Sequence, residues 1–355
     1  LGHMLQQQGY KTACVGKWGL GHPQNSGAPN KQGFDHFYGY ICQVQAHNYY
    51  PRYLYRNHEK DYLEGNERGL TGPHYAADKM DDECLSFIRD NQDNPFFLYY
   101  ASPIPHLALQ VPDREMKTYE QLWEETPYQG KSYLPHDKPR AAYAAMVSHL
   151  DSFVGRMKSL LIDLKLDENT IIIFTSDNGP SYIGGYDRDF FNGSGGLRGR
   201  KGDLYEGGLR VPLLVEWPAK IEAELVSNHV ASFWDFMVTL AELAEFDMPE
   251  GTDGVSFAPA LFGNADGQEE HDHLYWEFPA YGGWQVLRQG DWKLVRRNLT
   301  NKKKNTLELY NLKDDLIEQN NLSEAYPEKV EEMLALMKRS HVTNPNFKIP
   351  ELGDN

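Results

Sequence analysis
The run Ile171-Ile172-Ile173-Phe174-Thr175 leads straight into Ser176-Asp177-Asn178-Gly179-Pro180, and no other feature constrains the chain as tightly. β-branched apolar residues stopping at Asp-Asn-Gly predict a buried strand that delivers a carboxylate and a carboxamide to a loop. Three further runs, at residues 12–15, 96–101 and 211–215, have the same texture and read as inner strands. Helical patterns lie between them: residues 76–90 with Met80, Cys84 and Ile88, residues 235–244, and the spacing of Tyr143, Met146, Val147, Leu150, Val154, Met157 and Leu161. Strand and helix in alternation predict an open α/β fold, a parallel or mixed sheet covered on both faces.

The texture changes near residue 268. Short aromatic runs at 274–278, 284–288, 292–296 and 306–310 predict an antiparallel sheet, followed by a helix over 328–338. We therefore expect a main unit over residues 1–267 and a smaller one over 268–355. The Lys302-Lys303-Lys304 run falls at a hairpin tip and reads as a solvated turn.

A chain of 355 residues can bury a sizeable core. Its 51 acidic and 35 basic residues leave a formal charge of -16, which gives a nucleic-acid surface no electrostatic footing. An anionic substrate would need local lysines to reverse the field. No window is long and apolar enough to span a bilayer, and no signal-peptide pattern opens the chain. Cys14, Cys42 and Cys84 lack metal or redox spacing and allow at most one disulfide. Leu1, Met4 and Leu5 before Gly9 read as the last turns of an amphipathic helix, so an upstream segment is expected.

In open α/β sheets, ligands bind beyond the carboxyl ends of the strands. The inferred strands place Lys17, His106 and the Asp177-Asn178 pair there, and the Gly-rich loop at 193–208 adds Lys201. Taken singly, Lys17 reads as a surface lysine, His106 as a rigid-turn residue between prolines, and Lys201 as one of several solvated charges. Together, two ammonium groups, an imidazole and two hard oxygen donors suit a tetrahedral oxyanion and a divalent cation.

At these residues the chain resembles the formylglycine-dependent sulfatases. The resemblance rests on Gly16-Lys17-Trp18-Gly19-Leu20-Gly21-His22, Lys31-Gln32-Gly33-Phe34-Asp35, Pro105-His106, Thr175-Ser176-Asp177-Asn178-Gly179, Lys201-Gly202-Asp203-Leu204-Tyr205-Glu206-Gly207-Gly208-Leu209-Arg210-Val211-Pro212 and Gly290-Asp291-Trp292-Lys293-Leu294, in the family's order. It implies an alkaline-phosphatase-like central mixed sheet flanked by helices, with a small C-terminal antiparallel sheet plus helix. It implies further that Asp177 and Asn178 are ligands of a divalent metal, Ca²⁺ first and Mg²⁺ second. Lys17 then bridges sulfate and nucleophile, Lys201 binds sulfate, and His106 protonates the leaving oxygen. Glu206 and Arg210 also match, as loop scaffolding or as site residues. His22 and His47 are candidates for substrate contact.

Two departures stand out. The family's nucleophile motif, Cys/Ser-x-Pro/Ala-x-Arg, and its paired upstream aspartates do not occur in these 355 residues, so we expect N-terminal truncation and an inactive chain. Gly19 stands where many members carry a histidine. The resemblance further implies a sulfated small-molecule or glycan substrate, maturation by a formylglycine-generating or anaerobic maturase enzyme, and a periplasmic or extracellular location. Sequons at Asn192, Asn298 and Asn321 would permit glycosylation on a secretory route. A phosphoester or phosphonate hydrolase and a non-catalytic sulfated-glycan binder are the alternative functions.

Overall fold
The computed structural model describes residues 1–301, 303–346, 348–349 and 352. A short helix, Gly2–Gln7, ends at Gly9, whose φ of +85° is the left-handed turn that starts strand β1 (Lys11–Lys17). Residues 12–16 of β1 are buried because the strand lies inside a sheet covered on both faces. Parallel to it run β2 (His36–Tyr40) on one side and β5 (Phe96–Ala101) on the other. β3 (Tyr53–Arg56) and β4 (Glu59–Tyr62) extend the β2 side antiparallel, giving the order β4-β3-β2-β1-β5.

Two helices supply much of the cover. Ala76–Asp90 brings Met80, Cys84, Leu85 and Ile88 into the same core as Val15, Tyr38 and Tyr40. Pro139–Asp163 starts with proline in its first turn, where the missing N–H costs nothing. Its buried stripe runs through Ala141, Ala142, Ala145, Met146, His149 and Phe153. Val147, counted on the apolar face by its spacing, is 42% exposed. The contact stripe follows small alanines that let the helix approach closely, and hydrophobicity alone does not locate it.

The runs at 170–175 and 211–215 are strands, but not inner strands of the β1 sheet. β6 (Ile172–Thr175) and β7 (Leu213–Glu216) form their own antiparallel ribbon, from Ile172 opposite Glu216 to Thr175 opposite Leu213. Phe174 and Leu214 stand 36% and 64% exposed. β-branched composition encodes an extended backbone, whereas the partner strand is chosen by non-local geometry.

The C-terminal strands β8 (Leu274–Phe278), β9 (Trp284–Gln289), β10 (Trp292–Arg297) and β11 (Thr306–Asn311) make an antiparallel meander. Alternation divides its two faces. Leu287, Leu294 and Leu309 pack on Val330, Met333 and Met337 of the helix Pro327–Ser340. Trp284, Val286, Val295 and Tyr310 pack on Leu204 and Tyr205 of the Gly-rich loop. Lys302 of the expected lysine turn lies outside the described residues. All three cysteines are free thiols, Cys14 and Cys84 buried, so the disulfide that the composition allowed is not formed.

Candidate active site
The site is built where β1, β5 and β6 end. Gly16, at φ +118°, lies so close to β5 that a Cβ would stand 2.1 Å from the carbonyl oxygen of Ala101. Only glycine fits there, and the residue that follows it is Lys17. After β5 the chain turns through Pro103, whose carbonyl accepts the N–H of His106 at 2.7 Å. Tyr49, fully buried, donates its hydroxyl to the carbonyls of both Pro103 (2.7 Å) and His106 (2.9 Å). Cis peptide bonds at Ile104–Pro105 and Leu107–Ala108 flank this histidine.

The Gly-rich loop is stitched to the loop after β6. Lys201 donates its backbone N–H to Pro180 O at 2.9 Å, and Gly179 donates to Gly208 O at 3.0 Å. A Cβ on Gly179 would meet Gly207 O at 2.0 Å, which explains the glycine in Asp-Asn-Gly. These contacts bring Lys201 beside Lys17 and Asp177. Lys17 has its ammonium pKa lowered, first by burial and further by Lys201, against the opposing pull of Asp177.

The histidines complete the group. The rings of His47 and His106 stack at 5.2 Å and 10°, with Tyr133 edge-on to His47 at 5.1 Å. Burial, followed by the two lysines, lowers the pKa of His47. For His106 burial dominates, Lys201, Lys17 and His47 add to it, and the pKa falls to about 4 against the opposing Leu107 carbonyl. His106 Nδ1 lies 2.8 Å from Leu107 O. In the neutral ring that contact assigns the proton to Nδ1 and leaves the lone pair on Nε2.

The structure therefore brings together Lys17, Lys201, Asp177, His106 and His47. His22 sits exposed in a turn held by its own N–H on Asn25 Oδ1, 3.1 Å away, and the stacked imidazole pair does not include it. Gly19 has φ +77°, and Gln43 Nε2 would lie 2.6 Å from any Cβ there, so a histidine could enter only after backbone and glutamine moved.

The donors at 177–178 suit a hard cation in kind. Asn178 donates Nδ2 to Gly179 O at 2.9 Å, leaving Oδ1 to accept, and Asp177 is exposed. Ca²⁺ takes about 6–8 oxygens. Among the described residues no three His, Cys, Asp or Glu side chains converge as a metal site, so these two fit as part of a coordination sphere.

Glu206 and Arg210 belong to the scaffold. Lys293, fully buried, places its Nζ 2.8 Å from Glu206 Oε1 and 2.8 Å from Glu318 Oε1. Arg210 closes on Glu206 Oε2 at 2.6 Å, and Glu318 Oε2 accepts the Glu206 N–H at 2.7 Å. Burial acts to raise the carboxyl pKa of Glu206, but Lys293 and Arg210 outweigh it and hold the group ionised. In Glu318 burial wins over Lys293 and the pKa is raised. This network ties the Gly-rich loop to β10. Sequence reasoning missed Tyr133, which no local signal marks, as well as Tyr182 and Arg200. Arg200 adjoins Lys201, and its guanidinium lies 3.7 Å from the centre of the Tyr182 ring.

Two lysines, a stacked imidazole pair and hard oxygen donors lie together on an alkaline-phosphatase-like α/β fold, a donor set whose chemistry suits a tetrahedral oxyanion. The sulfatase family model matches residues 1–246, and the model for the N-sulphoglucosamine sulphohydrolase C-terminal region matches residues 200–343. The chain belongs to the sulfatase family, whose members generally use a divalent metal. It is 33% identical over 275 residues to N-acetylgalactosamine-6-sulfatase of Canis lupus familiaris, covering 74% of this chain and 48% of that protein. Arylsulfatase A of Homo sapiens is 32% identical over 321 residues, covering 82% and 56%. The chain thus spans about half the length of the curated relatives it matches. Among solved structures, Ps i-CgsB in complex with k-i-k-neocarrahexaose superposes with a TM-score of 0.77 at 26% identity, covering 95% of this chain and 73% of that one. The phosphonate monoester hydrolase of Agrobacterium radiobacter, at 17% identity and a TM-score of 0.63, shares the fold.

Proposed function
We propose that these residues form the sulfate-binding and leaving-group side of a sulfuric ester hydrolase acting on a sulfated carbohydrate. The observation that carries the reading is the convergence of Lys17, His106 and Asp177 from separate strand ends with Lys201 of the Gly-rich loop. Two ammonium groups offset the ester's negative charge, which the chain's overall charge of -16 would otherwise repel. Asp177 and Asn178 would hold part of a Ca²⁺ or Mg²⁺ site, whose chemistry is to polarise sulfate oxygens. The nucleophile, a formylglycine installed by a maturase, is assigned to residues other than these 355, and we expect this chain by itself to be inactive. Residues 1–267 and 268–355 are read as catalytic unit and C-terminal subdomain, and the location as periplasmic or extracellular.

His106 is assigned to the leaving oxygen. At rest its Nε2 carries a lone pair, because burial and the neighbouring lysines disfavour the imidazolium. A sulfate ester between Lys17 and Lys201 would offset their charge and favour protonation of Nε2, which can then hand the proton to the departing alcohol. His47, half-buried and stacked on His106, supports the ring plane and is proposed for substrate contact. His22 is proposed for substrate contact beyond the sulfate.

The test uses the protein carrying the formylglycine. His106→Ala should slow an alkyl sugar sulfate by roughly 10²–10⁴, the scale of a general acid, and an activated aryl sulfate much less. Equal losses of kcat on both, with chemistry rate-limiting, would leave His106 as a binding residue. Faster turnover of phosphate than sulfate esters would favour the phosphoester or phosphonate alternative. The second reading is a sulfated-glycan binder without catalysis; a full protein with no Cys/Ser-x-Pro/Ala-x-Arg stretch would favour it, and turnover by the formylglycine-bearing protein would refute it.

A further inference from the structure
A cavity of about 420 Å³ opens beside the Gly-rich loop, within the roughly 300–1,000 Å³ range of small-molecule sites. Three guanidinium groups, Arg140, Arg188 and Arg200, and two carboxylates, Asp187 and Asp189, line it. The wall therefore carries a positive excess in a strongly acidic chain. Two of the arginines are occupied. Arg140 grips Asp187 Oδ2 through Nε (3.1 Å) and Nη2 (2.7 Å), and Arg188 donates to Asp189 Oδ1 and Gly199 O. Arg200 differs: among the described residues its guanidinium makes no hydrogen bond, and its nearest carboxylate, Asp203, stands 3.9 Å away. It lies over the Tyr182 ring, 3.7 Å from its centre, a contact that holds the N–H fork so that less rotamer entropy is lost on binding.

The cavity is joined to the candidate site by aromatic rings. Tyr133 touches His47 and His106 and adjoins Gly184, next to the cavity residue Gly185. Tyr182, on the cavity wall, acts electrostatically on Tyr281, whose ring edge a Cβ on Gly202 would approach to 2.7 Å. Arg200 and Lys201 are consecutive, so one loop serves both the sulfate position and the cavity.

We propose that this cavity is a second subsite, which receives the sugar next to the sulfated one and selects a sugar bearing an anionic group, paired with Arg200. The proposal rests on the sulfated-carbohydrate reading above. The shared chemistry is a planar or tetrahedral oxyanion on a sugar ring, met by a guanidinium fork at one end and by Tyr128 and Tyr182 along its body.

The test is calorimetric binding to the chain itself, using a monosaccharide sulfate, a disaccharide with a neutral sugar flanking the sulfated one, and disaccharides whose flanking sugar is a uronate or a second sulfate ester. An anionic flank should tighten binding about ten-fold over the neutral flank, the scale of one charge-assisted hydrogen bond. Gain in the uronate arm alone assigns a carboxylate, and in the sulfate arm alone a sulfate. Arg200→Ala and Arg200→Gln should each abolish the gain and leave the monosaccharide within about two-fold, which also checks that Lys201 has not moved. No gain from either anion, or equal weakening of every probe by both variants, overturns the subsite. Arg200-dependent capture of the anionic disaccharides without any binding of the monosaccharide sulfate would overturn the sulfate position and keep the subsite. No binding by any probe overturns both.

Discussion

Replacing Lys293 by Met removes one ammonium from a fully buried position where two carboxylates lie 2.8 Å away. The two acids do not suffer equally. Glu206 keeps Arg210 at 2.6 Å, whereas among the described residues Glu318 keeps only the Glu206 N–H on its other oxygen. The variant therefore strands one buried carboxylate, and breaking a buried pair in this way costs about 3–5 kcal/mol. With Glu206 still paired, the lower end, about 3 kcal/mol, is expected. Urea unfolding followed by tryptophan fluorescence reads it, since Trp284 packs on Tyr205 beside the network. The loss should depend on pH with a defined sign. Burial already raises the Glu318 pKa above its ordinary value, and without Lys293 it rises further. The folded variant then binds more protons than the unfolded chain between those values, so its stability is retained below the unfolded pKa and lost as pH rises through the folded one. The deficit should be smaller at pH 5 than at pH 7.5, and adding Glu318→Gln should restore about 2 kcal/mol, the scale of an uncompensated buried charge or polar group. A variant within about 1 kcal/mol of the parent, or an equal deficit at both pH values, would refute the account of how the Gly-rich loop is anchored.

Two further outcomes are expected. Calorimetry should show weak Ca²⁺ binding to this chain and little change in Asp177→Asn, because two oxygen donors are few for a cation that takes about 6–8; tight binding would contradict the partial-site assignment. His106 should titrate near 4 by NMR in the free chain and move upward with bound sulfate, since the anion favours the imidazolium; a downward move or none would place sulfate elsewhere. The same depressed pKa makes His106 a stability group that is fully expressed above about 6.5 and lost as pH falls toward 4, because there the unfolded chain binds the proton more readily.

Most of the element order was legible locally. Residues 274–278 form β8 as expected and residues 76–90 the helix Ala76–Asp90, because period-2 and period-3.6 burial patterns are properties of short segments. The proximity of the candidate residues Lys17, His106, Asp177, Asn178 and Lys201 was legible because each follows a strand or sits among glycines, where the backbone approaches too closely for a Cβ. Tertiary structure decided the rest. It paired β6 with β7 instead of placing them inside the β1 sheet, and it chose His47 over His22 as the partner of His106. It also buried Lys293 between Glu206 and Glu318, residues 87 and 25 positions away, and set Arg200 on Tyr182 at a cavity wall. These depend on which distant segments meet, and the energy of a buried charge or a stacked ring is fixed by that meeting and by no local pattern.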